Sequence, residues 1–138
     1  MTLLEVIETL EGIARKQPSV KMVVQNDIFR LNTIPDARYG VFGWTQQQHI
    51  VTEDYNRFSF ALFYVDRLTE DKSNEVEIQS VGVSTLNNII KEAEDRGIFP
   101  VGEWTINTFN QRFMDECAGV WASVRFEVNQ TSVCAENY

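Results

Sequence analysis

The stretch from Tyr55 to Gly97 constrains the fold more than any other part of the chain. Arg57-Phe58-Ser59-Phe60-Ala61-Leu62-Phe63-Tyr64-Val65-Asp66-Arg67-Leu68 reads as a strand. Phe58, Phe60, Leu62 and Tyr64 fall on one side of it, and Ser59, Ala61, Phe63 and Val65 on the other. Neither side is properly polar, which is the pattern of a central strand covered on both faces. A charged turn follows, Thr69-Glu70-Asp71-Lys72-Ser73-Asn74, and then a helix carrying Val76, Val83, Leu86, Ile89, Ile90 and Ala93. Asn74 is placed to cap that helix, with Glu77 at the third position. From Glu75 to Arg96 it would run roughly 33 Å at about 1.5 Å per residue. Gly82 weakens its first half and Gly97 supplies its stop.

The chain has 138 residues, enough for one core, so the expectation is a single domain over 1–128 with an extended C-terminal arm over 129–138. A hydrophobic content of 43% argues against wholesale disorder. Twenty acidic against twelve basic residues give a net charge of -8. That opposes general binding to a nucleic-acid backbone, which needs clustered Lys and Arg, but allows a surface past which a polyanion slides. Cys117 and Cys134 are too few for a disulfide scaffold and have no metal-ligand spacing, so reduced thiols are expected. The beginning, Met1-Thr2-Leu3-Leu4-Glu5, lacks the basic and apolar regions of a signal peptide, and no stretch approaches a membrane span. Synthesis in a cytoplasm, with no membrane partner, is the corresponding expectation.

Along the chain, Thr2 and Glu5 have the spacing of a capping box. Leu3, Val6, Ile7, Leu10, Ile13 and Ala14 form the apolar stripe of a first helix, which Pro18 stops. Met22-Val23-Val24 and Ile28-Phe29-Arg30-Leu31 read as two short extended pieces around a turn. Pro35-Asp36 marks a loop and Tyr39-Gly40-Val41-Phe42-Gly43-Trp44 a strand. The polar Gln46-Gln47-Gln48-His49 then leads to a turn at Asp54-Tyr55-Asn56. Near the end, Val120, Ala122, Val124, Phe126 and Val128 alternate with Trp121, Ser123, Arg125 and Glu127 in the cleanest strand of the chain. Helix, strands, helix, strands without βα alternation predicts an α+β fold: a mostly antiparallel sheet with two helices on one face. Its other face would still need a cover.

Candidate chemistry is sparse. His49, the only histidine, sits among glutamines with no ordering carboxylate nearby, and an exposed loop position is the expectation. The carboxylate pairs Glu70-Asp71 and Asp115-Glu116 invite a general acid/base role, but turn and capping roles account for them better. The glycines are isolated, so there is no phosphate loop. Asn129-Gln130-Thr131 matches a glycosylation pattern without a secretory context. Trp44, Trp104, Trp121, Phe109 and Phe113 lack interleaved basic residues and suit a core or an interface rather than base stacking. No catalytic, cofactor-binding or metal-binding residue is assigned. The turn residues Glu70, Asp71, Lys72, Ser73 and Asn74 stand either as a solvated connection or as a projecting contact loop.

Several segments together resemble small neck and tail proteins of tailed bacteriophages. They are Gln17-Pro18-Ser19-Val20, Tyr39-Gly40-Val41-Phe42, the strand Phe58 to Leu68, Ser73 to Ser80, and Phe109 to Trp121 with the late Cys134. The nearest likeness is to phages infecting Bacteroides-type bacteria, including the crAss-like group. The resemblance covers most of the chain in order, without one diagnostic motif. It implies a virion structural subunit, a head-tail connector or tail terminator. Such a subunit forms a ring of six or twelve copies against neck, portal or tail proteins, around a channel for double-stranded DNA that is not specifically bound. It brings no active site, and Glu70 and Asp71 are the first acidic residues expected at a lumen. The alternative expectation is a small enzyme or ligand-binding α+β domain, with His49 or Asp115 at the rim of a pocket.

Overall fold

The computed structural model describes residues 1–34, 38–112 and 115–129. Helix α1 spans Leu3–Lys16. The capping box forms: the Thr2 hydroxyl accepts from the Glu5 N–H at 3.2 Å, and Glu5 accepts from the Thr2 N–H at 3.3 Å. Strand β1, Met22–Val24, leads to a 3-10 helix at Ile28–Thr33. Extended structure was expected at Ile28–Leu31, and local chemistry explains the difference. The Asp27 carboxylate accepts from the Phe29 N–H at 2.9 Å, and a three-residue turn puts Ile28 and Leu31 together on the buried side.

Strand β2, Val41–Val51, and β3, Tyr55–Arg67, form a long antiparallel hairpin. Gln46–His49 belong to β2, with a register shift between Gln46 and Gln48. Their polarity marks an exposed sheet edge rather than the approach to a turn. The turn itself lies at 52–54, where the Thr52 hydroxyl accepts from the Tyr55 N–H at 3.2 Å. Helix α2, Glu75–Asp95, follows β3. It ends as expected at Gly97, whose φ of 85° lets the Ile98 N–H reach back to the Ala93 carbonyl and its own N–H reach the Glu94 carbonyl. Strands β4, Phe99–Pro100, β5, Ile106–Arg112, and β6, Glu116–Asn129, follow and complete the described residues. Asn129, expected to open the C-terminal arm, pairs with Tyr55 as the last residue of β6. The rest of that arm, with Cys134, lies outside the described residues, as do Pro35, Asp36 and Phe113.

The fold is α+β. Among the described residues its six-stranded sheet has the order β1-β2-β3-β6-β4, with β5 also on β6, and only the β1–β2 pair is parallel. Strand β3 is central, as its two apolar sides predicted, and pairs along its length with β2 and β6. Phe58, Phe60, Leu62 and Tyr64 join Val120, Ala122, Val124, Phe126 and Val128 on one face, under both α1 and α2. The aliphatic stripes of α1 and α2 (Val6, Leu10 and Ile13; Leu86, Ile89 and Ile90) close this core. Gly82 lets α2 lie close on the sheet: a Cβ there would stand 2.6 Å from Val120 Cγ2 and 3.0 Å from Tyr64 Cδ2.

The second face is not left bare, contrary to the sequence expectation. At one end Val41, Val65 and Cys117 are buried with Val24, Ile28 and Leu31 in a second cluster, so the segment from β1 through the 3-10 helix covers it. Beside that cluster Phe63 stacks with Trp121 at 6.4 Å and meets Phe109 edge-on at 6.3 Å. Toward the β2–β3 turn the face becomes polar. There Arg57 pairs with Glu127 at 3.1 Å, and the Ser123 hydroxyl donates to Gln47 Oε1 at 2.8 Å.

Candidate functional site

The turn between β3 and α2 is exposed from Thr69 to Ser73 and is bonded largely to itself. Asp71 Oδ1 accepts from the Thr69 hydroxyl at 2.7 Å and from the Ser73 hydroxyl at 2.9 Å and N–H at 3.2 Å. These bonds favour the carboxylate and lower the Asp71 pKa below the ordinary value, the Thr69 bond most of all. Asn74 stands at the N-cap position of α2 but does not cap it with its side chain. Instead its Oδ1 accepts from the Thr69 N–H at 2.9 Å and its Nδ2 donates to the Arg67 carbonyl at 3.1 Å. Lys72 adopts a left-handed backbone (φ 57°) and pairs with Glu116 at 3.2 Å, tying the turn to the start of β6. Of the five residues singled out there, Glu70 alone makes no side-chain bond among the described residues. The turn is a preformed, docked structure with one free carboxylate at its outer side.

Asp115 joins three parts of the chain. It accepts from the Tyr39 hydroxyl at 3.0 Å, pairs with Arg67 at 3.4 Å, and offers its backbone carbonyl to the Cys117 thiol at 3.5 Å. Burial, with the Asp115 and Cys117 side chains nearby, raises the Tyr39 pKa above the ordinary phenol value. Burial likewise pushes the Cys117 thiol up to about 11, which keeps it protonated and a poor nucleophile at neutral pH. The Asp66 carboxyl is also raised by burial. This cluster is a tie between β3, the β5–β6 hairpin and the entry to β2. His49 is remote from it: its ring lies on Phe58 at 4.3 Å, and its Nε2 stands 3.5 Å from Asn56 Oδ1. His49 and Asp115 therefore do not share a pocket rim. Among the described residues no group of three or more His, Cys, Asp and Glu side chains is placed to hold a metal, and no helix is long and apolar enough to cross a membrane.

Two features escaped the sequence. One is Glu11, only 5% exposed, on α1. Its carboxylate accepts from Trp44 Nε1 at 2.7 Å and from Gln25 Nε2 at 3.0 and 2.9 Å. The helical stripe of apolar residues passes beside position 11, so nothing in the pattern marked it as buried. The other is a pair of open stretches of sheet edge, besides the short terminal strands β1 and β4. Beyond Gly43 the outer edge of β2 meets no strand among the described residues, and neither does the outer edge of β5. Gln46–Val51 and Ile106–Gln111 contain no Lys, Arg, Asp or Glu. Ile50 and Val51 are 38% and 59% exposed. Charged side chains and proline are the usual protection of such edges; the β2 run has neither, and β5 has only Arg112 at its end. The missed signal was the uncharged Gln-rich run itself.

No protein-family model matches the chain, and no curated protein matches it.

Proposed function

We propose that this chain is a structural subunit of a tailed-phage virion, a head-tail connector or tail terminator that closes into a ring of six or twelve copies. One observation carries the proposal: a sheet with two open stretches of edge on opposite sides, β2 over 46–51 with no Lys, Arg, Asp or Glu, and β5 over Ile106–Arg112 with a single charged residue, Arg112, at its end. Pairing the β2 edge of one copy with the β5 edge of the next is a heterologous contact, and rotation from copy to copy turns such contacts into a closed ring. The resemblance of the strand, turn and closing segments to phage neck proteins points to the same role. So does the net charge of -8, which suits a channel wall that repels DNA phosphates rather than holding them. The free Glu70 carboxylate is the side chain of the β3–α2 turn available to such a lumen or to a stacked neck, portal or tail protein. The second sheet face contributes no apolar contact surface at the β1 end, because the segment from β1 through the 3-10 helix covers it there.

Labelling purified particles with an antibody against this chain tests the role. Signal confined to the junction of head and tail supports it. Particles free of the chain overturn it and leave the small enzyme or ligand-binding domain as the standing alternative.

A further inference from the structure

We infer that the pocket beside the end of α1 is an oxyanion site that takes a phosphate group. The cavity measures about 250 Å³ and is lined by Arg15, Val20, Lys21, Met22, Val23 and Arg38. Three of the twelve basic residues in a chain of net charge -8 thus face one concavity, and among the described residues no carboxylate lines it. They come from separate elements: the last turn of α1, the residue before β1, and the segment leading into β2.

Their hydrogen-bonding capacity is largely unspent. Arg38 makes no ion pair or hydrogen bond among the described residues. Lys21 Nζ donates to the Pro18 carbonyl at 2.9 Å, which leaves two of its three donors. Arg15 reaches Glu11 only at 3.5 Å, and that carboxylate is already held by Trp44 and Gln25. The Arg15 side chain remains 58% exposed, with further N–H groups to give. Like charges gathered in a concavity repel one another unless an anion neutralises them. Two guanidinium forks and an ammonium suit the tetrahedral oxygens of phosphate. The volume falls below the roughly 300–1,000 Å³ of ordinary small-molecule sites, so a single phosphate group fits better than a larger ligand. The inference is independent of ring assembly. The phosphate can belong to a free ion or ester, or to a nucleic-acid backbone.

Titration of the ¹⁵N-labelled protein with inorganic phosphate, at ionic strength held constant with sodium chloride, tests the site. The amides of Lys21, Met22, Val23 and Arg38 are expected to shift saturably. Lys21→Gln and Arg38→Gln are each expected to weaken binding about tenfold, one charge-assisted bond apiece, while the exposed Lys91→Gln leaves it unchanged. A parallel titration with a short DNA duplex separates the sources. Shifts of the same amides by duplex assign the site to backbone phosphate, and shifts by inorganic phosphate alone assign it to a free ion or ester. If chloride alone reproduces the shifts, or both variants keep wild-type affinity, the site is overturned. The wild-type titration stands by itself should a variant fail to fold.

Discussion

Trp44 Nε1 and Glu11 Oε2 are joined by a 2.7 Å hydrogen bond across 33 positions of sequence, the bond that pins α1 to β2. The carboxylate is nearly buried, and the Gln25 amide also donates to it. Glu11→Ala strands an indole N–H and an amide without an acceptor. The expected loss is about 2–3 kcal/mol of stability, measured by urea unfolding. Glu11→Gln keeps an acceptor for Trp44 and is expected to lose less.

Gly82 yields a prediction opposite in sign to helix propensity. On a free helix, Gly→Ala is worth about 1 kcal/mol of stabilisation. Here the added methyl meets Val120 and Tyr64 in a closed core. Gly82→Ala is expected to destabilise by about 1–3 kcal/mol in chemical denaturation.

The cap position of α2 separates two roles that sequence alone merges. Asn74 uses both a donor and an acceptor to hold the β3–α2 turn. Asn74→Ala is expected to cost about 1–2 kcal/mol. Asn74→Asp, a good N-cap by type, lacks the amide donor to Arg67 and is expected to restore only part of that loss. Thermal melts of the two variants check the order.

Alkaline pH should weaken the fold through Cys117 and Tyr64. Burial pushes the thiol from 9.0 to about 11 and the Tyr64 phenol from 10.0 to about 12. In each case the unfolded chain ionises first, so unfolding releases protons inside the window. Stability is therefore full below pH 9 and falls as pH climbs from 9 toward 12. Cys117→Ala is expected to lower overall stability through the lost packing, while flattening the slope between pH 9 and 11. Unfolding curves across that range measure both effects.

Regular periodicity made much of the fold legible. The stripe of α1, the two apolar sides of β3 and the alternation of β6 each follow from one burial pattern sustained over many residues. The Thr2–Glu5 cap and the Gly97 stop follow from local chemistry. What failed depended on partners distant in sequence. Ile28 and Leu31 look extended until the Asp27 side chain and the second cluster select a tight helical turn. Gln46–His49 look like loop until β3 pairs with them. The cover of the second face comes from a short segment whose burial no period reveals. The charged turn Glu70–Asn74 is plain in the sequence, but its inward bonding rests on the geometry of Asp71 and Asn74. Arg15, Lys21 and Arg38 converge only through tertiary structure.

Assembly through the two open edges is the central claim, and the mass of the purified protein in solution tests it most directly. Native mass spectrometry or light scattering at high protein concentration is expected to give a closed species of six or twelve copies. Gln46→Lys with Gln48→Lys, which charges the exposed edge of β2 without touching the core, is expected to reduce it to monomer with an unchanged circular dichroism spectrum. A wild-type protein that stays monomeric at every concentration, or a ring that survives both lysines, would contradict the account.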